Sequence, residues 1–192
     1  MPDRNVEIIK KGVRTAAPRL LVAELRKETS RAFLSIRNQM IAEFLSHPIT
    51  QEIQAGPDAP NISGTLNGRG NLFSFIGFDS GDDPIEPILK ALESSEIVFN
   101  KLTPNGIYST AFIPSPDEIF EITPMPWASG RSWAHGIESG ISGLGWHIKQ
   151  RGLGRSGGGI QSSHQVSGNV KFRNVQYISA LLNKYTKILK SL

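Results

Sequence analysis

Four carboxylates stand close together at Asp79, Asp82, Asp83 and Glu86, and three cations stand as close at Lys149, Arg151 and Arg155. The first group offers hard oxygen ligands for a divalent cation, but its spacing does not match a calcium loop. A polar turn whose Asp caps a helix beginning near Pro84 is the expected structure. The second group follows Trp146 and His147, so it combines cations for phosphate with an aromatic for stacking. The same composition suits an arm that docks on a neighbouring subunit, because Arg and Trp most often dominate protein interfaces. His47, His135, His147 and His164 form neither an H-E-x-x-H motif nor an i, i+4 pair, so no zinc site is expected. Gly64, Gly68 and Gly70 in SGTLNGRGN have the outline of a phosphate loop without the G-K-[ST] that would complete it, and a turn with positive backbone dihedrals is expected instead. Ser142 and Ser156 sit beside glycine but lack the G-x-S-x-G elbow and a positioned base. No catalytic, cofactor-binding or metal-binding residue is nominated, and three carboxylates at Asp79, Asp82 and Asp83 do not alone define a metal-dependent reaction.

The charges are partitioned along the chain. Residues 1–42 carry a net +5, residues 43–138 a net −9, and residues 139–192 a net +8 without one carboxylate, within a total of +4 over 192 residues. Any surface that the last region presents is purely cationic, and the middle is correspondingly anionic. Such a partition suits a polyanion bound by the basic region, or self-assembly in which one subunit's basic end meets another's acidic middle. Cysteine is absent, which excludes disulfides, thiolate metal sites and cysteine nucleophiles. No stretch approaches the ~18 apolar residues of a membrane span, and MPDRNVEIIKKG lacks the apolar region of a secretory signal, so a soluble protein is expected.

The elements that must position these groups follow from periodicity. Over residues 18–46, Leu21, Leu25, Thr29, Ala32, Ile36, Met40 and Phe44 recur at intervals of three or four, which predicts one long amphipathic helix stopped by His47-Pro48. At ~1.5 Å per residue it would run about 40 Å, long enough for part of its apolar face to meet another chain. Residues 49–71 read as loop, 72–78 as a short apolar strand or buried turn, and 84–94 as a short helix. Strands are expected at 96–102, 106–113 and 118–125. The expected fold is therefore α+β, a long N-terminal helix packed on a small, mainly antiparallel sheet. Residues 1–14 form an N-terminal extension and 15–126 the core. Residues 127–168 hold 11 of the 19 glycines and form a long Gly-rich interaction arm that includes Trp133, Trp146, Lys149, Arg151 and Arg155, with a glycine-weakened helix within 132–149. Residues 169–192 return to the core as a strand or helix, with Asn174 as N-cap and Val175, Ile178, Leu182, Tyr185 and Leu189 as the apolar stripe.

The phrases FLSHPITQEIQAGP, NISGTLNGRGNLFSFIGF, WASGRSWAHGIESGISGLGWHI and RSGGGIQ, with the long first helix and basic last one, resemble the neck or tail-completion proteins of contractile-tailed bacteriophages. The likeness covers most of residues 15–192. It implies a noncatalytic virion protein, assembled in the host cytoplasm, that forms a homo-oligomeric ring at the neck or tail. Its implied partners are portal-adaptor, tail tube or sheath proteins, with nonspecific contact to DNA in the channel and none to a membrane. The alternative from the residues themselves is a DNA-binding module that uses the basic C-terminal region.

Overall fold

The computed structural model describes residues 6–10, 18–68, 70–103, 106–141 and 172–192. Its backbone is helix α1 (Pro18–Ser46), as the periodicity predicts. Thr29, Phe33, Ile36, Met40 and Phe44 face the core, and the Thr29 hydroxyl donates back to the Leu25 carbonyl at 2.7 Å, so even this polar member of the stripe is satisfied. Leu21 and Leu34 remain 39% and 43% exposed, leaving apolar surface on the long helix outside the core.

A three-stranded antiparallel sheet has the order β1–β3–β2, with β1 at Val6–Lys10, β2 at Glu96–Thr103 and β3 at Gly106–Phe112. On β3, Ile107, Ser109 and Ala111 are buried while Tyr108 is half-buried and Phe112 exposed, but Thr110, on the Tyr108 and Phe112 side of the alternation, is buried too. Residues 1–14 are thus not wholly an extension. Val6 to Lys10 pair with Ala111 to Ile107 and complete the second edge of β3, whose backbone groups need partners.

Several segments read as loop or strand are helical, each for a local reason. Helix α2 (Pro48–Gln54) starts immediately after α1, because Pro48 suits a first helical position and the His47 Nδ1 accepts from the Ile49 N–H. Helix α3 (Leu72–Ile76) occupies the apolar run: the Asn71 side chain accepts from the Ser74 N–H at 2.8 Å, and Gly77, at φ 96°, closes it. Helix α4 (Glu86–Glu93) follows the acidic turn as expected. Helix α5 (Pro116–Glu121) takes the first part of the third predicted strand, of which only Pro124–Met125 is extended, because Ser115 and Glu118 form a reciprocal capping box that the apolar alternation of 118–125 masks.

The predicted arm begins later than residue 127. Strands β4 (Pro124–Met125) and β5 (Ala128–Ser132) form a hairpin, and helix α6 (Trp133–Ser139) follows, capped by the Ser132 hydroxyl. Trp133, Ile137 and Ile141 are buried on one side of this unit, as the weak helix reading requires, but the helix stops at Ser139. Helix α7 (Ile178–Lys190) starts later than the predicted Asn174 cap, because the Val175 N–H is committed to the Ile137 carbonyl at 3.1 Å. Its Ile178, Leu182, Tyr185 and Leu189 join α1 in the core. None of the described helices is long and apolar enough to cross a membrane.

Candidate functional site

A groove of about 700 Å³ lies between α5 and the β5–α6 unit. One wall is the α5 face with Asp117, Phe120 and Glu121, and the other carries Arg131, Ser132 and His135. Met125 and Trp127 contribute apolar surface, and Gly140 and Ile141 border the groove where the described chain leaves α6. The α5 side is set by the capping box, which fixes the start of the helix and so puts Asp117 and Glu121 on one face at i, i+4. Both carboxylates are exposed. Across from them His135 presents an edge to Phe120, with ring centroids 5.0 Å apart. The hairpin is pinned from beneath: Thr123 and Ser132 hydroxyls are 2.7 Å apart, and the Trp133 N–H donates to the Thr123 carbonyl at 2.9 Å.

Trp127 joins this groove to the end of α3. Its indole Nε1 donates to the Ile76 carbonyl at 2.7 Å, and a side chain at Gly77 would meet its ring at 3.1 Å. Two residues further on, the chain enters Asp79 to Asp83. Within that turn the Asp79 N–H donates to the Asp82 carboxylate, and the Asp83 carboxylate accepts from the Ile85 and Glu86 N–H groups at 3.2 and 3.1 Å. Asp83 thus closes the polar turn ahead of the helix, whose own N-cap position is Ile85 and carries no side-chain cap, so the Asp cap expected for a helix beginning near Pro84 is displaced into the turn. Glu86 pairs with Lys90 at 2.7 Å in an exposed i, i+4 bridge, whose hydrogen bond from Lys90 to Glu86 raises the lysine's pKa. Such an exposed bridge contributes little to stability. Among the described residues no group of three His, Cys, Asp or Glu side chains is arranged to hold a metal ion.

Of the five residues predicted for the basic arm, only Trp133 lies among those described. It is 1% exposed, with its ring 5.9 Å from Phe78 and 6.5 Å from Tyr177. A side chain so enclosed packs the core and cannot reach a partner, which corrects its assignment to an interaction surface. Trp146, Lys149, Arg151 and Arg155 lie outside the described residues, as do Leu144, Ile148, His147, His164, Ser142 and Ser156.

The remaining sequence candidates have structural work. In the loop at 61–68, the Asn61 side-chain oxygen already accepts from the Leu66 and Gly68 N–H groups, at 3.0 and 3.1 Å, so those donors are not turned toward a phosphate. The loop is organised by Glu52, which sequence reasoning did not single out. This fully buried carboxylate accepts from the Leu72 N–H at 2.7 Å, the Ser63 N–H at 2.8 Å and the Asn61 amide at 2.8 Å. The polar seam between α1 and α7 is a second unanticipated cluster. There Lys184 and Tyr185 donate to the Glu43 carboxylate at 2.5 and 2.8 Å, and the lysine's hydrogen bond holds that carboxyl below its ordinary range. Burial, with Glu43 as neighbour, pushes the Tyr185 hydroxyl up to about 12. His47 sits with its ring 4.9 Å from that of Tyr177, and burial lowers its pKa. The Tyr177 hydroxyl lies 2.7 Å from that of Thr50, and burial raises its pKa far above the usual phenol value.

No family model, curated protein or solved structure matches this chain.

Proposed function

We propose that this chain is a structural assembly protein, a subunit of a homo-oligomeric ring at the neck or tail junction of a contractile-tailed phage. The observation that carries the reading is the separation of charge: a net −9 over residues 43–138 against a net +8 without any carboxylate over residues 139–192. Asp79, Asp82, Asp83, Glu86, Asp117, Glu118 and Glu121 all lie at the surface of the anionic part. Opposite charge on two regions of one chain suits head-to-tail contacts, the kind that close into rings. The sequence likeness to neck and tail-completion proteins supplies the setting, with portal-adaptor, tube or sheath proteins above and below the ring.

Virions built without the protein should lose intact head–tail joints, and the purified chain should associate with itself or with neck components in sedimentation experiments. Intact joints together with a monomer that ignores those components would sink the reading.

A DNA-binding module is the second reading, favoured by Trp146 beside Lys149, Arg151 and Arg155. It requires duplex affinity that falls with log salt by a slope of about 0.9 per phosphate neutralised. Absence of binding at low salt would remove it.

A further inference from the structure

We propose that the groove between α5 and the β5–α6 unit seats the 142–171 segment of a second copy of the chain, an inference that rests on the assembly reading above. The described chain leaves the core at Ile141, on the border of the groove, after Gly140 turns it at φ 93°. It is back on the core at Phe172, whose ring stacks on Phe75 at 5.8 Å. Three residues later the Val175 N–H meets the Ile137 carbonyl at 3.1 Å, one helical turn before Ile141. Thirty residues therefore run between two neighbouring places on the same body. At ~3.4 Å per residue, half of them going out and half returning, that length can reach about 50 Å from its anchors.

The chemistry of the two partners is complementary. The segment carries Lys149, Arg151, Arg155 and Lys171 and no carboxylate, and it offers Trp146 as an apolar anchor. The groove presents Asp117 and Glu121 on one wall and apolar surface from Met125 and Trp127. Arg131 on the opposite wall would repel a cation, which directs the basic side chains to the α5 side. Glycines dominate the segment around its basic residues, so its backbone can lie close against a wall where a Cβ would hold it off.

The occupant is a neighbour's segment because the assembly reading requires a contact between copies, and the 8 to 14 residues between Ile141 and Lys149 to Arg155 give enough chain to reach one. A donor segment and an acceptor groove on different parts of one chain make a heterologous contact, which propagates from subunit to subunit until a ring closes.

The test uses the full chain in sedimentation velocity over a range of protein and salt concentrations. A groove variant, Asp117→Lys with Glu121→Lys, and a segment variant, Lys149→Glu with Arg151→Glu and Arg155→Glu, should each lose self-association by about tenfold or more. An equimolar mixture of the two should regain it, because each groove then meets a segment of opposite sign. Wild-type association that survives both reversals, or a mixture that stays dissociated, overturns the groove while leaving assembly intact. A wild-type chain that remains monomeric throughout and ignores neck components defeats the assembly reading first. Because the chain has no cysteine, mixing a Glu121→Cys chain with a Gly152→Cys chain gives an independent readout. Mild oxidation should yield the mixed 121–152 disulfide between copies. A chain carrying both cysteines that closes the bond only within itself assigns the segment to its own groove and overturns the proposal.

Discussion

Residues 55–71 and residues 127–141 are both rich in glycine and both look irregular as sequence, yet opposite forces hold them. The first is a polar loop gathered around one buried carboxylate: Glu52 takes N–H donors from Asn61, Ser63 and Leu72, and Asn61 in turn takes Leu66 and Gly68. The second is gathered by aromatic burial, with Trp133 sunk among Phe78 and Tyr177 and Trp127 laid against Gly77. Glycine therefore marks neither segment as loose. It marks places where the backbone turns through positive φ, as at Gly64, Gly68 and Gly130, and the ordering comes from whichever side chain can be enclosed.

Substitutions should separate these two modes. Trp133→Ala removes the largest enclosed ring and should cost about 3–5 kcal/mol in chemical denaturation, lowering the whole transition. A loss confined to the 127–141 unit would show that the hairpin is an appendage to the core.

Glu52→Ala strands several buried donors and should cost about 2–4 kcal/mol. Here the first sign should be local, with faster hydrogen exchange at Ser63, Leu66 and Leu72 before global unfolding. Glu52→Gln should rescue little, because one carboxylate oxygen serves Leu72 and the other Ser63, so its amide nitrogen must face a donor in either orientation.

Trp127→Phe keeps the ring but deletes the donor to the Ile76 carbonyl, and should cost about 1 kcal/mol. An unchanged melting temperature would mean that packing alone holds the second region.

The smallest effect concerns α2, the helix that carries Glu52. His47 accepts from Ile49 through Nδ1, so its protonation removes the cap, and its folded-state pKa lies below the ordinary 6.5. The unfolded chain then binds this proton more readily than the folded one. Stability is fully present above pH 6.5 and declines as pH falls from there toward the lowered folded value. Glu43, lowered from 4.5, extends the decline below that pH. His47→Asn keeps a cap without a titrating ring and should flatten the first part of the pH profile of melting temperature, at a cost of a few tenths of a kcal/mol. An unaltered profile would clear His47 of that role.

What could be read from the chain follows the range of the interaction responsible. Helix α1 was legible because Leu21 to Phe44 repeat one period through most of its 29 residues, and β3 because Ile107, Ser109 and Ala111 occupy every second position, although Thr110 between them is buried as well. Helix α5 was visible in the Ser115 to Glu118 capping box, but Ile119 and Ile122 invited a strand reading, and with it went the shared face of Asp117 and Glu121. Glu52 gave no signal, because its partners are the Asn61 amide and backbone N–H groups 9, 11 and 20 residues away. Trp133 was misassigned for a related reason: its glycine-rich surroundings suggested exposure, while Phe78 and Tyr177, which enclose it, are distant in sequence. The acidic turn was anticipated as polar, but the bond from Trp127 to the end of α3 just before it reaches across 51 residues.

The seam joining α1 to α7 ties Glu43 to Lys184 across 141 positions. A growing polypeptide on the ribosome must therefore leave the α1 side of this seam uncovered until Lys184 and Tyr185 have been synthesised. For that interval the nascent chain is a natural client for chaperones, and premature termination before α7 should yield aggregates rather than a smaller folded body.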